Sequence, residues 1–265
     1  MDFPLLFFKT ILLRPYVFVF LAVALVVAQR LIGWRRTSIL FGITWVTAFV
    51  CEFASTRINV PFGAYYYTGS THGQELYLSN IPFMDFLSFT FLVFASYCLA
   101  LIFYLPYEKL TVKSEQPKVL PVVTPWSVVF LTALLLMFID IVIDPVALRG
   151  NQWFLGQIYG YPEPGIYFGV PLANFAGWMV VGLLAMLGYR LVEAWGWAES
   201  FASMTFNPRD VFLGCGLYYG VLVFNLSITV WIGEPLLAMV GCFLYLPITA
   251  LVIMRWACGR SSCHV

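Results

Sequence analysis

Apolar runs of about twenty residues recur along the chain, separated by polar, Gly- and Pro-containing breaks. They cover residues 15–32, 37–56, 82–105, 125–143, 171–192, 208–231 and 235–254. At 1.5 Å per residue a helix of that length crosses a hydrocarbon core of roughly 30 Å. Proline stands at or near the start of six of the seven runs, where its missing N–H costs nothing in the first helical turn. Thr124-Pro125 and Asn207-Pro208 read as an N-cap followed by Pro at the first helical position. Residues 1–14 are apolar but hold Asp2, Lys9 and Arg14, which predicts a short interfacial helix. Ala22-Val23-Ala24 loosely resembles a signal cleavage site, but the apolar run continues past it and no basic stretch precedes it.

Composition strengthens this pattern. The chain is 62% hydrophobic and 10% charged, where a soluble domain has roughly 25% charged residues. The expected fold class is all-α, a polytopic membrane helix bundle of about seven transmembrane helices. No hydrophilic linker divides it, so residues 1–265 are expected to form a single transmembrane domain.

Charge sets the orientation. Arg30, Arg35, Arg36, Lys109, Lys113, Lys118, Arg190, Arg209, Arg255 and Arg260 fall on one side of the bundle, and Lys9, Arg14, Arg57 and Arg149 on the other. The positive-inside rule puts the larger group in the cytoplasm. The N-terminus is then outside, the loops 57–81 and 145–170 face outward, and the expected location is the plasma membrane.

Several chemistries drop out. The six cysteines form no CxxC pair, and both histidines, His72 and His264, lie outside the spans. Haem, di-iron and zinc sites are not expected. With no GxGxxG or Walker sequence, neither is a tightly bound nucleotide. Nucleic acid is not an expected partner, because the aromatics are not interleaved with Lys or Arg. No metal and no cofactor is expected; the lipid bilayer is the one partner composition requires.

The acids carry the functional argument. On this topology Glu52 lies near the outer end of the second span and Asp85 at the outer start of the third. Asp140 and Asp144 lie at the outer end of the fourth, Asn174 opens the fifth, Asn225 is in the outer half of the sixth and Glu234 precedes the seventh. Five helices thus bring polar groups to one outer slab, while the inner halves carry almost none. Asp140 and Asp144 stand at i and i+4, on one helix face. Carboxylates next to lipid are costly. Asp144 and Glu234 read equally well as helix-end residues tethered to headgroups. Glu52 and Asp140 suit that reading poorly, because more helix follows each. Asp85 would also complement a helix dipole.

Carboxylates gathered in a poorly solvated place cannot all ionise easily, and a protonated one beside an ionised one is an acid/base pair. A substrate met in the bilayer is apolar. An isolated alkene there can be protonated to a tertiary cation, held by carboxylates and aromatic faces. Tyr65, Tyr66, Tyr67, Trp153, Tyr159, Tyr161, Tyr167, Phe168 and Trp178 supply such faces, although an interfacial aromatic belt explains them as well.

Two blocks carry a resemblance. The first is Glu52, then Pro61-Phe62-Gly63-Ala64-Tyr65-Tyr66-Tyr67 and Ile81-Pro82. The second runs from Asp140-Ile141-Val142-Ile143-Asp144-Pro145 through Trp153 to Gly165-Ile166-Tyr167-Phe168-Gly169-Val170-Pro171-Leu172-Ala173-Asn174-Phe175-Ala176-Gly177-Trp178. Over about residues 45–190 the chain resembles the CruF-like carotenoid hydratases, which include bisanhydrobacterioruberin hydratases and carotenoid 1,2-hydratases. The resemblance implies addition of water across a terminal C=C of an acyclic carotenoid, giving a tertiary alcohol without a redox cofactor. It implies catalytic carboxylates at Glu52, Asp140 and Asp144. It places Asn174 at the start of the helix that follows. The substrate-binding residues expected on the depth and aromatic argument are Asp85, Asn174, Tyr65, Tyr67, Trp153, Tyr167 and Trp178, with other enzymes of the pathway as partners.

Asp140, the deeper of its pair, is expected to be the acid, and Asp144 or Glu52 the base. A carotenoid cyclase begins with the same protonation and stays open as an alternative, as does a non-enzymatic seven-helix carotenoid-binding protein. A retinal photoreceptor needs a buried lysine, and no span holds one. A transporter would show inverted repeats or broken helices at mid-membrane, and none is evident.

Overall fold

The computed structural model describes residues 3–110, 118–195 and 205–261, without the side chains of Tyr107 and 258–261. Asp2, Lys113, Cys263 and His264, and the side chains of Cys258 and Arg260, lie outside the described residues. The helices are α1 (Phe3–Leu13), α2 (Pro15–Ile58), α3 (Phe83–Tyr104), the single turn α4 (Tyr107–Leu110), α5 (Trp126–Ala147), α6 (Leu172–Ala194), α7 (Pro208–Trp231) and α8 (Pro235–Ser261). Six of them are long and apolar enough to cross a membrane.

The first of these six, α2, is two crossings. Its 44 residues would reach ~66 Å if straight, about twice the hydrocarbon core. Gly33 breaks it, with φ 75° and ψ 161°, a region that side-chain-bearing residues avoid. Tyr16 and Glu52 line one cavity, whereas Arg30 and Arg36 meet Asp210 and the Val122 carbonyl at the far end of the bundle. The chain therefore reverses at Gly33, and the described residues hold seven helical segments of membrane-crossing length.

The ends of the helices follow local chemistry, with two departures from expectation. Asn207 caps α7, its side chain accepting from Arg209 N at 3.0 Å. Thr124 does not cap α5. Its N–H donates to the Glu193 carboxylate at 2.6 Å, its carbonyl accepts from Arg190, and Pro125 takes the cap position. The expected end of this span at residue 143 is also too early, because α5 continues through Pro145 to Ala147. Proline removes one donor but does not forbid the last turn. The Arg149 guanidinium, 2.8 Å from the Pro145 carbonyl, satisfies an acceptor that the helix end leaves open.

Helix α3 is the central element. Phe86, Val93, Phe94, Ala95, Cys98, Leu99, Ala100 and Ile102 are all buried, and α3 packs against α2, α5 and α7. Gly214 of α7 lets that helix close on α3, since a Cβ there would lie 2.6 Å from Cys98 Cβ. Small residues serve such approaches in membranes, where packing rather than water exclusion drives helix association. Helix α8 lies at the periphery and exposes Met239, Phe243 and Leu246.

The loops 57–81 and 145–170 are joined. Strand β1 (Tyr66–Tyr67) pairs antiparallel with β4 (Tyr159–Gly160), in register Tyr66–Gly160 and Tyr67–Tyr159. Strands β2 (Tyr77–Leu78) and β3 (Ile81–Pro82) form a second small ribbon. The first loop is anchored from below. Arg14 and Glu75 form an ion pair at 2.9 Å with both side chains fully buried, and Thr10 Oγ1 accepts from Leu76 N at 2.7 Å.

The basic end departs from expectation, for it is not free of buried polar groups. Arg36, Glu193 and Asp210 are all buried there. Hydropathy does not register them, because each sits within the last or first turns of a long apolar segment.

Candidate active site

The carboxylates sit on the inward faces of three helices. Ala48, Cys51, Glu52 and Ser55 form the buried face of the second half of α2. Ser55 Oγ accepts from Phe62 N at 2.9 Å and holds the start of the first loop against that face. The loop then turns back, so that Tyr67 Oη donates to Glu52 Oε2 at 2.6 Å. Asp85, in the first turn of α3, is half-buried and lies close to the same phenol.

The second group of polar residues comes from α5 and α6. Asp140 and Asp144 project from one face of α5, one turn apart. The Asn174 side-chain amide forks across them. Nδ2 donates to Asp140 Oδ2 at 2.8 Å and makes a shorter bond to Asp144 Oδ2. Tyr161 Oη donates to Asp144 Oδ2 at 3.1 Å, and Tyr159 Oη to the Asp144 backbone carbonyl at 3.2 Å.

A cavity of about 150 Å³ lies between the two groups. Glu52, Asp85, Asp144, Asn174, Tyr65, Tyr67, Trp153 and Trp178 all line it. The Trp178 ring lies 4.3 Å from that of Phe89, forming part of the wall. Phe62 reaches the cavity because Gly177 leaves space for it: a Cβ at Gly177 would lie 2.8 Å from Phe62 Cα. That contact joins the two sequence blocks.

Two of the sequence-predicted residues stand elsewhere. Asp140 is fully buried but does not line the cavity, and it reaches it only through Asn174 and Asp144. Its Oδ1 has no hydrogen-bond partner among the described residues. Tyr167 packs against Phe168 and Phe175 and is also outside the lining. The backbone bridge between Tyr167 and Val170 turns it away. Glu234 ion-pairs with Arg149 at 2.6 Å, as suits a residue at a helix end.

Sequence reasoning passed over Tyr16, Phe20 and Phe224, which line the cavity. Asn225, noted only for its depth, lines it too, with Nδ2 bonded to the Val221 carbonyl at 2.9 Å. Nothing local marks the three aromatics among 25 Phe and 15 Tyr. The Arg14–Glu75 pair had a signal, a cation in an otherwise apolar segment that needed a partner.

Electrostatics separates these acids from others in the chain. Among the described residues, no Lys or Arg forms an ion pair with Glu52, Asp85, Asp140 or Asp144. The cation that bears on Asp85 is Arg14, already bound by Glu75. The loop tyrosines respond to the same surroundings. Burial, and after it the neighbouring carboxylates, push the Tyr65, Tyr159, Tyr161 and Tyr67 phenols well above their ordinary range. They remain protonated donors. Among the described residues no three His, Cys, Asp or Glu side chains converge to hold a metal ion.

A multi-pass helical membrane protein with a carboxylate- and phenol-lined cavity near one end is the class this structure defines. Within that class, the model of the carotenoid biosynthesis protein family matches residues 12–248, and the chain belongs to that family. No curated protein and no solved structure matches it.

Proposed function

We propose that the protein is a hydratase of acyclic carotenoid end groups. The observation that carries this reading is that Glu52 of α2, Asp85 of α3 and Asp144 of α5 line one cavity without a cation partner. Family membership supplies the substrate class.

In the proposed reaction Asp144 gives its proton to the less substituted carbon of the terminal alkene. The positive charge develops on the tertiary carbon, facing the rings of Phe89 and Trp178 and the carboxylate of Glu52. A water oxygen bonds to that carbon, Glu52 takes the released proton, and return of a proton to Asp144 restores the starting state. Alkene plus water gives a tertiary alcohol, with no change of redox state. Tyr67 and Tyr161 hold the carboxylates in place through their hydrogen bonds. Asp140, which the sequence suggested as the acid, is a positioning residue in this scheme: it fixes Asn174 behind Asp144. The setting we propose is the plasma membrane, in the company of other enzymes of the pathway.

Expression in a host that makes lycopene, followed by mass analysis of the pigment, tests this reading. A product heavier by one water supports it. An isomer of unchanged mass would mean that an internal alkene quenches the cation, making the protein a cyclase. Unaltered pigment would remove the enzymatic reading.

A further inference from the structure

A cavity of about 150 Å³ is smaller than the ~300–1,000 Å³ of pockets that enclose a drug-sized ligand. It has room for an end group and not for a long polyene, so the rest of such a molecule must leave it by some route. The lid formed by β1 and β4 closes the loop side with Tyr67 and Tyr159. Apart from Asn225, the part of the lining made by two other helices is apolar, with Tyr16, Val17 and Phe20 from the first half of α2 and Val221 and Phe224 from α7.

This seam changes character along its length. Toward the basic end it is closed, with Gly214 against Cys98 and Val27 and with Arg30 3.0 Å from Asp210. Toward the cavity it is loose. Gly216 is exposed on the outer face, and a Cβ at Gly220, also exposed, would meet only the Phe20 ring, at 3.9 Å. The gap is filled by rings instead. Tyr16 stacks on Phe224 with centroids 5.1 Å apart, and Phe154 and Phe20 contact Phe224 at 6.5 and 5.8 Å. The outer neighbours are apolar and exposed: Val19 is 60%, Val223 58% and Phe154 49% accessible. Val221 lies ~15 Å before the end of α7, a depth of about half the hydrocarbon core.

The geometry points to a lateral portal at this seam, through which an apolar polyene passes from the bilayer into the cavity, with the Phe224 ring as its movable plug. This inference rests on the function proposed above and names the path by which the substrate arrives. The end group reaches Asp144 and Glu52, and the remaining chain lies between α2 and α7 in contact with lipid. A ring plug is suited to this, because rotating one side chain opens a gap whose walls are glycine on one side and rings on the other.

The test uses the full chain in lipid vesicles loaded with lycopene. Association is followed by quenching of tryptophan emission, since Trp153 and Trp178 line the cavity. Val221→Phe fills the path behind the plug and is expected to slow association at least tenfold. Phe224→Ala removes the plug and is expected to speed it severalfold, which keeps the test informative if the first variant folds poorly. If neither variant changes the rate, or both change it in the same direction, the portal is overturned. Pigment mass is read in the same samples. Association that follows the expected pattern with no water gained would leave the portal standing and remove the hydratase.

Discussion

The cavity and the basic end of the bundle treat buried carboxylates in opposite ways. At the basic end Asp210 lies 3.0 Å from the Arg30 guanidinium, and Glu193, which accepts from the Thr124 N–H at 2.6 Å, has the Arg36 cation nearby. In the cavity, Glu52 and Asp144 meet only phenols and an amide. Arg14–Glu75, beside the cavity but walled off from it, follows the pattern of the basic end. A carboxylate that meets a cation is held ionised and contributes to structure. One that meets neutral donors keeps the ability to exchange its proton, and its burial then needs a functional reason. The difference therefore lies in the partner rather than in the degree of burial.

The sharpest way to break this comparison is to neutralise one acid of each kind. Asp144→Asn keeps the size of the side chain and an acceptor for Asn174, and is expected to lower water addition by about 10²–10⁴-fold while the thermal midpoint in detergent stays near wild type. Asp210→Asn is expected to do the reverse. If Asp144→Asn retains full turnover, the division between the two kinds of acid fails.

Arg14→Ala leaves Glu75 buried without its cation. Its expected cost is about 3–5 kcal/mol of stability, read as a lowered unfolding midpoint. An unchanged midpoint would show that Glu75 finds another partner or water.

Tyr67→Phe removes the donor to Glu52 and keeps the ring. Turnover is expected to fall by about tenfold, the value of one hydrogen bond to a charged group. A loss as large as that of Asp144→Asn would make Tyr67 a participant in proton transfer rather than a support.

The smallest effect is alkaline. In the unfolded chain the phenols ionise near pH 10; in the folded protein Tyr65, Tyr67, Tyr159 and Tyr161 ionise higher. Their contribution is fully present below pH ~10 and is lost as pH rises toward the folded values, because unfolding then releases protons. The unfolding midpoint should decline above pH ~10, and Tyr67→Phe should flatten the decline. An equally steep decline in that variant would assign the effect to other groups.

Much of the depth profile was legible in the chain. Apolar run lengths, with prolines at their starts, located the helices. Counting directions placed Glu52, Asp85, Asp144 and Asn174 at one level, and all four line the cavity. Rotation about each helix axis was not legible. The spans are apolar on nearly every side, so no stripe marks the face that looks inward. Asp140 and Asp144 share a face, yet Asp144 reaches the cavity and Asp140 lies one turn behind it. Tyr167 sits in the same motif as Asn174 and Trp178, and a local backbone bridge turns it away.

The sequence by itself determined what lies in the membrane and at what height, because hydropathy and helix rise are properties of contiguous residues. Tertiary structure alone decided which groups meet. The reversal at Gly33 brings Tyr16 and Phe20 to the same hollow as Glu52, and the pairing of Tyr67 with Tyr159 closes two distant loops over it. Contacts of that kind depend on how whole helices pack and rotate against one another. The energy that selects the packing is spread over many side chains, and no short stretch of the chain encodes it.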